Sequence, residues 1–211
     1  ANNSCEFARA LLERALEGNY AFLHAMIGVD VCEANNRAIE NMEIMHMQGE
    51  DKDKFFYCNL DIPYSDGEDC VEHVREQVSR KILKPLHENY GIDTSDDAIR
   101  AAVSEHNEVC RILTEIGELR KLDIPPITGY EYAVLVLVSY TCPKRLILPY
   151  LRETLEEIKS RKTDAEKDYR VRVVVVGSEI DDPQLIKLIE GCGALVVADR
   201  YCYGSFPGRQ E

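Results

Sequence analysis

Hydrophobic positions recur near helical spacing from Cys5 to about Met26, through Phe7, Leu11, Leu12, Ala15, Leu16, Phe22 and Leu23. That pattern predicts an amphipathic helix, with Gly18-Asn19 as its interruption. The pattern then tightens into a short apolar run, Ile27 to Val31, which predicts a buried strand with Cys32 just past its C-terminal end. Helical spacing returns from Glu33 to Met47. Lys54 to Leu60, carrying Phe55, Phe56 and Tyr57, is the next predicted strand and closes at Asp61-Ile62-Pro63-Tyr64. One long helix is predicted from about Asp66 to Asn89, stopped by Gly91. A second starts at Thr94-Ser95-Asp96-Asp97, where a hydroxyl caps free amides and the aspartates face the positive dipole end, and it runs to about Lys121 ahead of Pro125-Pro126.

Tyr130 to Tyr140 is almost wholly apolar. Its valines suit a strand, but Thr128-Gly129-Tyr130-Glu131 fits the start of a helix, and a buried helix is the reading we adopt. Pro143 to Lys162 is amphipathic at helical spacing. The character then changes: Arg170 to Val176 ends at Gly177-Ser178, Pro183 to Glu190 is a helix with proline in its first turn, and Ala194 to Asp199 is another apolar run. Strand, glycine turn, helix, strand is a βαβ unit, for which a right-handed crossover is expected. The expected organisation is an N-terminal α/β part over residues 1–64, a helical middle over 65–165, and the start of a second α/β domain over 166–211. The beginning at Ala1 and the loop-like close from Phe206 to Glu211 read as a fragment of a longer polypeptide.

At 211 residues with 45% hydrophobic and 30% charged content, the chain has the make-up of an ordinary globular protein. No apolar run approaches the roughly 20 residues needed to cross a bilayer, and the N-terminus has no basic stretch followed by an apolar core. A net charge of −13 argues against nucleic-acid binding and against an anionic membrane surface. It leaves room for an anionic small ligand, because a local basic pocket outweighs charges screened beyond about 10 Å.

Eight cysteines without a secretory signal indicate a reducing compartment, the cytoplasm, where thiols ligate metal, react or pack. There is no Cys-x-x-Cys, which argues against a zinc ribbon or a thioredoxin-type motif. Cys70, Cys110 and Cys192 fall inside helical patterns and read as small buried hydrophobes. Cys5 and Cys32 differ from these. They lie 27 residues apart at the two ends of the first helix-and-strand stretch, where two thiols can converge on one metal centre or stand unpaired. Gly177-Ser178 and Gly204-Ser205 follow the ends of two predicted parallel strands. Their amides suit phosphates or an acyl group, and equally suit plain tight turns. His106 reads as a solvated helix residue, and Glu131 as a carboxylate at a helix start.

Taken in order, several segments resemble the family of 2-hydroxyacyl-CoA dehydratases and benzoyl-CoA reductases, in their iron–sulfur subunits. They are Cys5-Glu6-Phe7-Ala8-Arg9, Ala15-Leu16-Glu17-Gly18, Asp30-Val31-Cys32, His106 to Arg111 with its Asn-x-x-x-Arg spacing, and Pro125 to Glu131. They continue with Val176-Gly177-Ser178, Ile189 to Ala194 and Val197 to Ser205. Glu33 stands where the family pattern suggests Asp, and Cys142 where an apolar residue is usual.

The resemblance implies flavodoxin-like parallel-sheet domains with a helical insertion. It implies a 4Fe–4S cluster on three cysteines, two of them at Cys5 and Cys32 and the third beyond Glu211, with one iron open to water or a thioester oxygen. Cys202 is expected to pack or line the site rather than to ligate. Gly177, Ser178, Gly204 and Ser205 become weaker candidates for substrate binding. The implied reaction, typical of anaerobic metabolism, is loss of water from a 2-hydroxyacyl-CoA. One electron added to the thioester gives a ketyl radical that expels hydroxide and acidifies the β position. Reductive dearomatisation of benzoyl-CoA and a non-catalytic, cluster-carrying partner are the alternatives. The implied partners are an acyl-CoA, a second homologous subunit and a separate ATP-dependent iron–sulfur activator. No Gly-x-x-x-x-Gly-Lys phosphate loop occurs in this chain, consistent with ATP use on the activator.

Overall fold

The computed structural model describes residues 5–45, 53–65, 67–161, 169–177 and 180–205. The fold is α/β and mostly helical, with two pairs of parallel strands. It divides into two compact units, Ala1–Ala98 and Ile99–Glu211. Among the described residues no helix is long and apolar enough to cross a membrane.

In the first unit, α1 (Glu6–Leu16) ends ahead of Gly18, whose φ of 77° is readily adopted only without a side chain. β1 (Ala25–Val29) pairs in parallel with β2 (Phe56–Leu60), from Ala25 opposite Phe56 to Val29 opposite Leu60. The strand therefore starts two residues before the apolar run predicts, and Ala25 and Met26 belong to it rather than to the preceding helix. Between the strands lies α2 (Glu33–Ile44), which makes β1-α2-β2 a crossover unit.

α2 runs antiparallel to β1, as successive contacts show. Tyr57 Oη, beside Met26 in the sheet, donates to the Met42 carbonyl at 3.2 Å. Gly28 lies against Ile39, where a Cβ would collide with the isoleucine side chain. Past the strand end, Asn36 Nδ2 donates to Asp30 Oδ1. The apolar core of the unit is Ala15, Ile39 and Met42, with Leu11, Leu12, Met26 and Tyr57 packed around them.

The single helix predicted from Asp66 to Asn89 is α3 (Glu68–Val78), a π-helical stretch over Ser79–Leu83, and α4 (Lys84–Tyr90). Pro85 accounts for the widened turn, because it has no amide hydrogen and its ring crowds the carbonyl of Lys81 four residues back. Gly91, at φ 65°, closes α4 as predicted.

The second unit contains most of α5 (Asp96–Leu119), then α6 (Gly129–Thr141), α7 (Lys144–Ser160), β3 (Val171–Val176), α8 (Pro183–Gly191) and β4 (Ala194–Arg200). β3 and β4 are parallel, with a register shift between Val173 and Val174. α6 sits between two cores. Tyr132 and Val136 join Val109, Ile112, Leu113 and Ile116 of α5 and the inward side of α7. Ala133 and Tyr130 join Ile186, Val196 and Tyr201 over the sheet. A helix packed on two sides must be apolar nearly all round, which is why its sequence also resembles a strand.

The start of α6 leaves few amides unmet. Gly129 N and Tyr130 N donate to the Glu190 carboxylate at 2.8 and 3.0 Å, and Thr128 and Glu131 form a reciprocal capping box. Gly129 also packs so tightly that a Cβ would meet Val196 Cβ at 2.6 Å.

Candidate functional site

Cys5 and Cys32 each occupy the residue that opens a helix, α1 and α2 respectively. Helix-opening positions favour Ser, Thr, Asp or Asn, whose oxygens cap the free amides. These two thiols do not: neither makes a side-chain capping bond, and both are exposed. Their backbones start the helices, with Arg9 N donating to the Cys5 carbonyl at 3.1 Å and Asn36 N to that of Cys32 at 3.0 Å.

The two helices share a core through their C-terminal halves, Leu11, Leu12 and Ala15 with Ile39 and Met42, over Met26 and Tyr57 at the start of the strands. Both helix starts therefore point toward the C-terminal end of the β1-β2 sheet. That is where ligands of parallel α/β sheets gather. The thiols are thus exposed at helix starts, where helix amides favour a nearby negative charge. Among the described residues no group of three or more His, Cys, Asp or Glu stands close enough to hold a metal ion, so these residues offer two thiols and not a finished site.

Around this strand end runs a chain of polar side chains. Asn59 Nδ2 donates to Asn36 Oδ1 at 3.3 Å, and Asn36, 4% exposed, passes the chain on to Asp30. Beside it, Gln77 clamps the end of β2. Its Oε1 accepts from Asp61 N at 3.1 Å and from Lys81 Nζ at 2.7 Å, while its Nε2 donates to the Asp61 carbonyl at 2.8 Å. Burial pushes up the Cys58 thiol and the Tyr57 phenol in the same strand; the Lys81 charge lowers the first and the Glu43 charge raises the second further.

In the second unit, Gly177 follows β3 and its amide donates to the Arg200 carbonyl at 3.1 Å. Ser178 lies outside the described residues. Downstream, Asp182 already accepts from Gln184 N at the start of α8, at 2.9 Å. Gly204 is pressed against the Asp199 carboxylate and the Tyr201 ring.

Ser205 belongs to a buried network that the sequence did not reveal. Arg120 Nη1 donates to Asp199 Oδ2 at 2.8 Å and Nη2 to Ser205 Oγ at 2.8 Å. The hydroxyl of Ser205 lies 3.0 Å from Asp199 Oδ2 and 3.1 Å from Tyr132 Oη, and the Arg120 guanidinium sits 3.7 Å over the Tyr132 ring. The Arg120 and Asp199 side chains are 3% and 0% exposed. Asp199 belongs to the Val197–Ser205 motif, but Arg120 lies just past a helix end with no local signal.

Other expectations resolve simply. Cys110 is buried and Cys70 half-buried, but Cys192 is exposed, because it ends α8 rather than facing its core. Asn107 and Arg111 line one face of α5 beside a cleft of about 820 Å³, with Arg100, Ser104, Ile99 and Val103. His106 lies near the Cys110 thiol, 3.4 Å from it, on the same helix.

Comparison with known families adds the chain's kinship. The model of the family described as 2-hydroxyglutaryl-CoA dehydratase, D-component, matches residues 1–211. The chain belongs to this dehydratase family. Within curated proteins it is similar to a subunit of the benzoyl-CoA reductase of Thauera aromatica, with 23% identity over 93% of this chain and 50% of the relative. It is also similar to "Putative dehydratase subunit YjiM" of Escherichia coli, with 22% identity over 69% of this chain and 39% of the relative. The chain thus spans half or less of the length of the curated relatives it matches. Both relatives are named as subunits.

Proposed function

We propose that this chain forms the cluster-binding part of a subunit that eliminates water from a 2-hydroxyacyl-CoA. The observation that carries the reading is the placement of Cys5 and Cys32, bare of capping bonds, at the starts of two helices that share a core, in a chain matched throughout by the D-component family. Their thiolates are two of three ligands to a 4Fe–4S cluster, with the third in a further part of the protein. Bound there, the cluster supplies an electron-transfer centre and a Lewis-acidic iron beside the substrate.

The chain's own contribution is positional. α1 and α2 direct both thiols to one end of the sheet, and the helix amides favour a negatively charged occupant. Gly177, Ser178, Gly204 and Ser205 are our candidates on the substrate side. Ser205 acts there through the loop it anchors, since its hydroxyl is engaged with Arg120, Asp199 and Tyr132.

The reaction we assign is redox-neutral overall. One electron enters the thioester carbonyl to give a ketyl, the 2-hydroxyl leaves as hydroxide, a β proton is then lost, and the electron is recovered. An ATP-hydrolysing iron–sulfur activator supplies that electron, and the active assembly is completed by a second, homologous subunit. The two α/β parts are flavodoxin-like halves working in the cytoplasm. Similarity to a subunit of benzoyl-CoA reductase favours a second reading, in which two electrons, delivered one at a time by the activator and joined by two protons, reduce the ring of an aromatic acyl-CoA.

Iron and acid-labile sulfide, measured in the full protein purified without oxygen, test the assignment. We expect near-stoichiometric iron and sulfide in the wild type and their loss in Cys5→Ser and in Cys32→Ser. Absence of iron, or iron indifferent to both substitutions, would sink it. Turnover of 2-hydroxyacyl-CoA against benzoyl-CoA, with an activator present, then separates the two reactions.

A further inference from the structure

We infer that Asn36 is a positioning residue for Cys32, its side chain fixing the turn that leads into the thiol through the string Asn59–Asn36–Asp30. On the C-terminal side, the Asn36 amide donates to the Cys32 carbonyl at 3.0 Å. On the N-terminal side, the Asn36 carboxamide donates to Asp30, two residues before Cys32. Asp30 is itself tied to the sheet, its amide donating to the Leu60 carbonyl at 2.7 Å. Asn36 therefore meets both ends of the segment Asp30-Val31-Cys32, its backbone amide at Cys32 as any helical residue there would and its buried side chain at Asp30, while Val31 and Cys32 remain exposed.

The string is costly to keep. Asn36 lies on the inward face of α2 with Ala38, Ile39 and Met42, where an aliphatic side chain would bury without needing partners. Asn59 Oδ1 is buried and accepts no hydrogen bond among the described residues. β1 contributes Gly28 at this point, and a Cβ there would meet Asn59 Oδ1 at 3.1 Å. Three positions thus favour a polar connection over simple packing. The structure it supports is the exposed turn that ends in Cys32. Its chemical purpose rests on reading Cys32 as a ligand; the positioning itself does not.

A charge-conserving swap tests this in the full protein. Asn36→Asp removes the donor and sets two carboxylates against each other, although a carboxylate in the first turn of a helix is otherwise favourable. Asp30→Asn combined with Asn36→Asp reverses donor and acceptor and leaves the net charge of wild type.

In the metal-free protein, we expect hydrogen exchange over residues 30–37 to be about tenfold faster in Asn36→Asp, the change that 1.4 kcal/mol produces. It should return toward wild type in the double swap, while residues 5–10 at the start of α1 stay unchanged. In the iron-loaded protein, the electron paramagnetic resonance spectrum should shift in Asn36→Asp and recover in the swap. Unchanged exchange in a folded Asn36→Asp, failure of the swap to restore it, or an unchanged spectrum in an iron-bearing variant each overturns the inference. An iron-free wild type sinks the cluster assignment instead, and the exchange result then decides the positioning alone.

Discussion

Asp30 and Asp199 both lie at the C-terminal end of a parallel strand, and each carboxylate meets a side chain from a helix or its end. Their surroundings differ. Asp199 is fully enclosed, with a guanidinium, a hydroxyl and a backbone amide on its two oxygens and an aromatic ring beneath the guanidinium. Asp30 is exposed and meets the buried Asn36, behind which Asn59 Oδ1 has no partner among the described residues. The second unit uses its own side chains to complete the strand end. The first leaves the strand end open and presents a thiol there. A closed polar network rigidifies a loop at the cost of burying charge, whereas an open one keeps space for an external group.

The sharpest way to break this contrast is to remove one partner from the closed network. Asp199→Ala leaves the buried Arg120 without its counter-charge and takes the acceptor from Ser205 N, and we expect a loss of about 3–5 kcal/mol of stability, the usual cost of orphaning a buried ion. Urea unfolding of the full chain measures it. A change below about 1 kcal/mol, the level of an exposed ion pair, would mean that the network is not closed in solution. The paired replacement Arg120→Met with Asp199→Leu should cost less than the single variant, because no charge is left alone.

How much of this was legible beforehand follows from where the signals reside. Helix and strand order was readable throughout, since periodicity and turn residues are local. α6 was ambiguous because two cores cover it, and its capping box resolved the choice at Thr128-x-x-Glu131. The shifted start of β1 was not readable, because pairing with Phe56 extends a strand backward beyond its apolar run. Pro85 marked a disturbance, but whether the helix would break or widen depends on the neighbouring packing. Cys5 and Cys32 are candidates singled out through their motifs. Arg120 and Glu190 were missed because their partners are distant: Asp199 is 79 residues from Arg120, and Gly129 is 61 residues from Glu190.

A smaller effect sharpens the contrast from the open side. Gly28→Ala pushes a methyl group into Ile39 and toward Asn59, so both the core and the polar string must shift. Overpacking of this kind costs about 1–3 kcal/mol. Hydrogen exchange should place that loss in β1, β2 and α2. If exchange over those elements is unchanged, the close packing at Gly28 is not what fixes α2 against the sheet.

The smallest effect we expect is a pH dependence confined to β2. Burial raises the Cys58 thiol above its ordinary 9.0 and the Tyr57 phenol above its ordinary 10.0. Below pH 9.0 both groups are protonated in folded and unfolded chains alike, and the stability that comes with keeping them neutral is fully present. Above 9.0 the unfolded chain releases the Cys58 proton first, while the folded strand still holds it. Each further rise then favours the unfolded chain until the folded value is passed, and Tyr57 adds to the same slope from 10.0 upward. Hydrogen exchange over residues 56–60 should therefore reveal weakening protection as the pH climbs through this window, after correction for the intrinsic rise in exchange rate. Cys58→Val, close in size and without a proton to lose, should flatten the lower part of that slope and leave the Tyr57 part. An unchanged slope in Cys58→Val would mean that the thiol is not held neutral by burial, and that β2 is as open to solvent as the strand end it leads to.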